Sequence, residues 1–546
     1  IVLFFGFTTS FWSQTTRAEV YSLNLFFTLL LVYFLLIWYK KLRTHAHLSF
    51  NWLALSFFVL GVSLTNHSLL IFSIIPAFIF FILATDNKTF LNHKKILTIL
   101  VLGTLGLTVY LYLPIRSSLN PALNWGRPDS LAKMLVFITR SNELGSTINL
   151  PGFSFITNLK QILLFMLSQF YLPLVILGVV GWGKMWEISR KLSIFFFLIF
   201  ISNMSVSAWA ADFSQRNLDL LGYLIPSLAV FTIWILGGVW FIWQALFSWL
   251  KEFNIKIPQT ACLSLLLVLP IFQLLKNFSS QNKQAHTFAY DYAQEIVDTV
   301  KPNSIVFTAD DNTLTSLWYL NLVEKNAKNI KIISASSLGL KSYLEQIQHQ
   351  YPDLNIPTTN QKKSFKPEDW LQDFVNLNSD KYPIYFQYAN LPKEIQSNLV
   401  PSGYLLAYSK TAVKSDNQLI ETHRNYLNQK SNFIKSRKTD LVTKEHFGNL
   451  FFNWGVFYDR LKRPDLSFQY FMSALEIDST NSRIYTGLGK AFLKIGQVEQ
   501  ASKLFQSAVE LDPYNDANYY YLSLCFASQK DKESQKKYLE KALSLN

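Results

Sequence analysis

Apolar runs of bilayer length recur through the first half of this chain, at about 20–39, 50–64, 67–84, 96–113, 161–181, 193–209, 221–248 and 260–276, with the tail of another at 1–13. A helix needs about 20 residues to cross a hydrocarbon core. With 46 phenylalanines and 14 tryptophans placed so unevenly, the chain is too apolar for a single water-soluble core. The pattern predicts a polytopic α-helical membrane protein. Its charges sit in the interruptions: Lys40, Lys41 and Arg43; Lys88, Lys94 and Lys95; Lys184, Arg190 and Lys191; Lys251 and Lys256. Placing these basic connections in the cytoplasm sends 14–19, 65–67, 114–160, 210–220 and everything after 277 to the other side, with no span left over. The net charge of +14 is then a topology signal and not a nucleic-acid footprint. The expected location is the cytoplasmic (inner) membrane, multi-pass, with the C-terminal domains extracytoplasmic. High Lys, Asn and Phe usage with few prolines fits an AT-rich bacterial source.

The chain opens "IVLFFGFTTSFW", already inside a hydrophobic run, without the basic start or small-residue cleavage site of a signal peptide. We read its first helix as truncated. The two cysteines, Cys262 and Cys525, offer neither a disulfide framework nor a metal spacing. Residues 1–276 form the expected transmembrane domain.

Beyond it the composition turns water-soluble. Helix "YDYAQEIVDTV", strand "SIVFTA", helix "NTLTSLWYLNLVEK", strand "IKIISAS" and helix "KSYLEQIQHQ" alternate as in a small α/β layer with parallel strands. "IPTTNQKKSFKPED" reads as a long loop, and two short strands, "PIYFQYA" and "YLLAYS", close an α/β domain at 277–430. A basic helical connector near 415–440 leads into the last domain, 431–546. There, segments 445–478, 479–512 and 513–546 align without gaps at the roughly 34-residue period of tetratricopeptide repeats. Tyr485, Leu488, Gly489, Phe492, Ala501, Phe505, Ala508 and Pro513 carry the pattern in the middle repeat. Such a solenoid binds other chains or packs on its own protein.

Nearly all unusual polar residues of the membrane half fall on the non-cytoplasmic edge. "SQTTRAEVYSLNLFF" brings Arg17, Glu19, Tyr21 and Asn24; "SLTNHSLL" brings Asn66 and His67; "NPALNWGRPDS" and its approach bring Arg116, Asn120, Asn124, Trp125 and Arg127; "AADFSQRNLDLLGYLIP" brings Asp212, Gln215, Arg216, Asn217 and Asp219. Together they suit a cavity for a polar head carried on a lipid. Arginine offers a planar fork to phosphate oxygens, asparagine bonds hydroxyls, and tryptophan stacks on a sugar ring. The plainer reading of each residue alone is an interface anchor or a turn. No charged residue lies midway along any expected span, which argues against an ion-coupled transporter. In the α/β domain, Asp310 and Asp311 follow a strand and open a helix, the position where open α/β sheets bind ligands; a helix N-cap is the alternative. There is no Gly-rich phosphate loop, no His-Glu-x-x-His and no cysteine cluster.

Ala18-Glu19-Val20-Tyr21, Asn66-His67 and Asn124-Trp125-Gly126, with "FAYDYAQEIVDTVKPNSIVFTADDNTLTSLWYL", resemble the membrane family of domain of unknown function 2723, related to protein O-mannosyltransferases. The likeness covers about residues 1–340. It implies a type C glycosyltransferase fold that moves a sugar such as mannose from a polyprenyl-phosphate donor to a protein or glycan acceptor at the outer face. It also implies a catalytic carboxylate in an acidic motif upstream of Ile1, leaving Glu19 as the candidate base within the chain. Arg116 or Arg216 would take the lipid phosphate, Trp125 would stack on sugar, and Asn66 and His67 would contact hydroxyls, with Arg17 and Tyr21 beside them. No cofactor is required by these residues, and a divalent metal is left open. The expected partners are the lipid bilayer, the polyprenyl-phosphate sugar and a protein bound by the repeats. The competing expectation is a non-enzymatic membrane scaffold that recruits envelope proteins through those repeats.

Overall fold

The computed structural model describes the whole chain except residues 45, 140–153, 211–217, 254–257, 327–328, 358–365, 411–416, 438 and 546. It divides into two compact units, Ile1–Pro121 with Pro128–Lys283, and Ala122–Arg127 with Gln284–Asn546.

In the first unit, helices Tyr21–Thr44, Ala46–Leu64, Ser68–Thr85, His93–Leu107, Ser154–Ile188, Arg190–Ala210, Ile225–Glu252 and Gln259–Gln281 fall on the eight apolar runs. Apolar solvent leaves backbone groups no partner but each other, so such runs are driven into helices. Six segments are long and apolar enough to cross a membrane: Tyr21–Leu42, Ser68–Thr85, His93–Ser118, Phe155–Ile188, Arg190–Trp209 and Ile225–Glu252. The run read as a single span at 161–181 is longer, and it breaks at Tyr171, whose φ is 56°, two residues ahead of Pro173. Small residues set how near the helices come, as expected where no hydrophobic force acts between them. A Cβ at Gly61 would lie 2.1 Å from the Gly103 carbonyl oxygen, and one at Gly238 would lie 2.1 Å from that of Leu177. A buried polar knot adds direction: the Asn203 Oδ1 accepts from the Ser227 hydroxyl at 2.7 Å, and its amide nitrogen donates to Ser73 at 3.4 Å.

The second unit holds a five-stranded sheet ordered β2-β1-β3-β5-β4. Strands β1 (Ile305–Thr308), β2 (Lys331–Ser334) and β3 (Ile384–Phe386) are parallel, while β5 (Leu405–Tyr408) runs antiparallel to β3 and to β4 (Leu399–Ser402). The sheet is therefore mixed and not wholly parallel. Strand β4 escapes the sequence reading because "LVPS" is short and carries Pro401, which is tolerated at a sheet edge. The turn into β5 uses Gly403 at φ 58°. Helix Pro367–Asn378 begins inside the stretch read as loop; proline at its start and Glu368 and Asp369 in its first turn are ordinary helix-start signals.

Three helix pairs follow: Leu441–Arg460 with Pro464–Ile477, Ser482–Lys494 with Val498–Leu511, and Asp516–Ser528 with Lys532–Leu545. Gly455 and Gly489 make room for the Phe471 and Phe505 rings, which a Cβ would meet at 2.6 and 2.8 Å. One apolar core runs from Phe288 through the sheet to Ile484, so the α/β layer and the first repeat are packed as one body. Helix Asn417–Ser436 joins them through His423. Its Nε2 lies 2.9 Å from the Gly403 carbonyl, its Nδ1 3.1 Å from the Tyr458 hydroxyl, and its ring centroid 4.3 Å from that of Trp454.

Burial lowers the His423 pKa from 6.5 to about 4, against a smaller upward pull from the Gly403 carbonyl. Between those values only the unfolded chain takes up the proton. The contribution is therefore complete above pH 6.5 and is lost as the pH falls toward 4, by about 3 kcal/mol. The melting transition of the second unit is expected to drop between pH 7 and pH 4.5. In His423→Gln that drop should be distinctly smaller, as read by thermal melts of the full chain at each pH.

Candidate functional site

Helix Tyr21–Thr44 starts with its first residue aimed into a cluster of rings. The Tyr21 centroid lies 5.8 Å from that of His67 and 5.6 Å from that of Tyr223, and the His67 and Tyr223 rings meet edge-on at 5.3 Å. Tyr21 is buried, whereas His67 and Tyr223 are partly open. Tyr21 lies against the short helix Leu218–Tyr223 because position 222 is glycine; a Cβ there would come within 2.4 Å of the Tyr21 ring. His67 also caps helix Ser68–Thr85, its Nδ1 accepting from the Leu70 amide at 3.4 Å. The Asn66 side-chain amide donates to the Val20 carbonyl at 3.1 Å, tying this turn to the start of the Tyr21 helix.

At the rim of the rings, Arg17 splits its guanidinium between two carboxylates. Nη1 lies 3.3 Å from Asp219 and Nη2 lies 3.4 Å from Glu19, with about a third of the arginine side chain exposed. Exposed pairs of this kind add little stability, so the arrangement is better understood as a positioned, accessible cation. Three residues into the helix, on the same side as Tyr21, Asn24 is buried, and neither its amide oxygen nor its nitrogen has a partner among the described residues. Leaving such a group unsatisfied costs about 1–3 kcal/mol.

The residues singled out from sequence separate into groups. Arg17, Glu19, Tyr21, Asn66 and His67 converge. Arg116, in the last turn of helix Tyr112–Ser118, is exposed and makes no side-chain hydrogen bond or ion pair among the described residues. Arg216 lies outside the described residues. Asn124 and Trp125 belong to the second unit, where the Trp125 ring lies 6.3 Å from that of Trp318 and 5.9 Å from that of Tyr343. Trp125 and Arg116 thus belong to different units; the rings gathered in the first unit are Tyr21, His67 and Tyr223. Tyr223 and Gly222 went unremarked in the sequence, although their placement three and four residues after Asp219 puts all three on one helical turn.

In the α/β layer, Asp310 is fully engaged. It caps helix Asp311–Trp318 by accepting from the Thr313 amide at 2.9 Å, and it also accepts from the Gln387 side-chain amide. The Gln387 Oε1 in turn takes the Ala309 amide proton at 2.7 Å, and the His446 Nδ1 stands 3.7 Å from the Asp310 carboxylate. Burial pushes the His446 pKa down while Asp310 pulls it up less strongly. Asp310 therefore knots β1, β3 and the first repeat helix together, and Asp311 is an exposed first-turn acid. No group of three or more His, Cys, Asp or Glu close enough to hold a metal occurs among the described residues.

Comparison with known proteins follows this division. Residues 2–91 match the family described as Protein O-mannosyl-transferase TMEM260 N-terminal domain, and residues 289–446 match TMEM260-associated domain 2. Residues 482–515 and 517–546 match the tetratricopeptide repeat. The Protein O-mannosyl-transferase tmem260 of Dictyostelium discoideum is 24% identical over 453 residues, covering 73% of this chain and 54% of that protein. The Protein O-mannosyl-transferase TMEM260 of Mus musculus is 22% identical over 382 residues, covering 65% of this chain and 51% of its own length. The chain spans about half the length of these curated relatives. Among solved structures, that of YrrB, a TPR protein with an unusual peptide-binding site, aligns at 20% identity and TM-score 0.18, covering 23% of this chain and 68% of that one. The chain thus has two segments that match TMEM260 domain models, followed by C-terminal tetratricopeptide repeats.

The cluster's dependence on Gly222 is open to a direct check. Gly222→Val should displace the Tyr21 ring and lower the melting temperature of the detergent-solubilised chain, an overpacking cost of about 1–3 kcal/mol. Gly183→Ala, where a Cβ meets nothing within 4 Å, should leave it unchanged.

Proposed function

We propose that this chain is a multi-pass membrane glycosyltransferase that moves mannose from a polyprenyl-phosphate donor to a protein acceptor at the extracytoplasmic face. The observation that carries the reading is the convergence of Arg17, Glu19, Asp219, Tyr21, His67 and Tyr223 at one end of the apolar helices. The kinship to proteins named O-mannosyl-transferase supports the same chemistry. The lysine-rich connections at the opposite helix ends support an outward placement of this end by the positive-inside rule, and with it an extracytoplasmic second unit.

In the reaction, the acceptor hydroxyl oxygen forms a bond to the anomeric carbon as the bond from that carbon to the phosphate oxygen breaks. The polyprenyl phosphate leaves with the bonding electrons. Arg17 neutralises the charge that grows on this leaving group, the kind of preorganised cation that lowers such barriers most. Its two donor edges are held by Asp219 and Glu19 until phosphate oxygens compete for one of them. Glu19, at the more exposed edge, is then released to take the acceptor's proton. Tyr21 and Tyr223 flank the sugar. Asn66 and His67 act by holding the Val20 and Leu70 backbone in place, and Arg116 lies where it can meet lipid headgroups. The repeats bring protein acceptors or partners to the membrane surface.

With a polyprenyl-phosphate mannose donor and a peptide acceptor, Arg17→Ala should reduce kcat by at least about 100-fold, in line with loss of one charge-stabilising donor. Arg17→Lys should recover part of it. Transfer at the unsubstituted rate by Arg17→Ala would remove Arg17 from the mechanism. Unaltered biological function without any measurable transfer would instead favour a scaffold built on the repeats.

A further inference from the structure

The second unit contains a crevice that the membrane chemistry does not use. Strand β1 lies between β2 and β3, so the chain leaves β1 toward one edge of the sheet and later returns past it to the other. The carboxyl ends of such diverging parallel strands leave an opening where α/β proteins bind small ligands. Here that opening is a cavity of about 300 Å³, at the lower end of the size range for small-ligand pockets. The residue that follows β1, Ala309, and the residue that follows β2, Ala335, form its floor, with Ser336, Glu368, Tyr388 and Asn390 around it.

The lining is chemically selective. Among the described residues that line it, Glu368 is the one charged side chain, and it presents an acceptor to the opening. Tyr388 is partly buried and contributes a ring face; burial pushes its hydroxyl pKa well up, so the hydroxyl remains a donor. Asn390 is fixed from the repeat side. Arg460, the last residue of helix Leu441–Arg460, donates to the Asn390 Oδ1 at 2.8 Å and to the Ala389 carbonyl at 2.5 Å. That leaves the Asn390 amide nitrogen to donate. A carboxylate acceptor, an amide donor, two hydroxyls and an aromatic face suit a neutral ligand rich in hydroxyls with one apolar face.

We propose that this crevice binds a neutral hexopyranoside, making the α/β domain a glycan-recognition module distinct from the membrane cluster. The inference does not depend on the transfer reaction, because the site is built from different residues in a different unit. Glu368 accepts from ring hydroxyls, Asn390 donates to one, and the Tyr388 ring lies against the sugar's C–H face. Because Arg460 fixes Asn390, the first repeat helix helps to shape the site.

The test is binding of methyl α-mannopyranoside and methyl α-glucopyranoside to the full chain in nanodiscs, by saturation-transfer NMR and calorimetry. Saturable binding is expected. Glu368→Gln and Tyr388→Ala should each weaken it at least tenfold, while Arg17→Ala should leave it intact. Glu368 is exposed, so its isosteric variant keeps the fold even if Tyr388→Ala does not. The proposal is overturned if no saturable binding is found, or if binding persists unweakened in Glu368→Gln. It is also overturned if an unglycosylated peptide occupies the crevice in preference to the sugars. Loss of sugar binding only in Arg17→Ala would assign the sugar to the membrane cluster and refute the crevice site.

Discussion

Polar side chains in the apolar half of this chain have few places to go. A backbone in hydrocarbon must satisfy itself within a helix, and a charged group at mid-span is costly, so chemistry is confined to helix ends. Arg17, Glu19 and Asp219 sit there, around Tyr21 at the first residue of its helix. The helix interiors are left to glycine contacts and a few buried hydroxyl and amide pairs such as Asn203 with Ser227. The bundle therefore acts as a frame, with its reactive groups at the rim.

That rim is organised by shape as much as by charge. Gly222 permits Tyr21 to lie on the short helix whose Asp219 also meets Arg17, so one backbone position sets both the ring packing and the ion pair. Asn66 and His67 fasten the neighbouring turn by hydrogen bonds to backbone groups. In the second unit Asp310 plays a comparable part, tying the end of β1 to Gln387 and standing beside His446 of the first repeat helix. In both units several polar residues conspicuous in the sequence position other groups. The groups proposed to meet ligands are fewer: the exposed edge of Arg17 and the crevice around Tyr388.

The apolar runs could be read from the sequence because hydrocarbon imposes a length and a composition at once, and the repeats because Gly455 and Gly489 recur opposite Phe471 and Phe505. Arg17, Tyr21, Asn66 and His67 could be named because each stands beside an apolar run. Their partners were harder to foresee. The pairing of Arg17 with Asp219 joins residues about 200 positions apart, which no local pattern encodes. Nor does any local pattern encode the packing of the Trp125 ring with Trp318 and Tyr343, about 200 residues away in sequence. Strand β4 and helix Pro367–Asn378 are hard to read locally because proline occurs in loops as well, whereas here one lies at a sheet edge and the other starts a helix.

The most direct measurement is to map where a photoreactive polyprenyl-phosphate mannose attaches to the full chain in nanodiscs. Attachment at residues 17–24 and 218–223, reduced by competing unlabelled donor and by Arg17→Ala, is the predicted result. Saturable attachment elsewhere in the chain, with these two segments unlabelled, would contradict the assignment of the donor site to the Arg17–Tyr21 cluster.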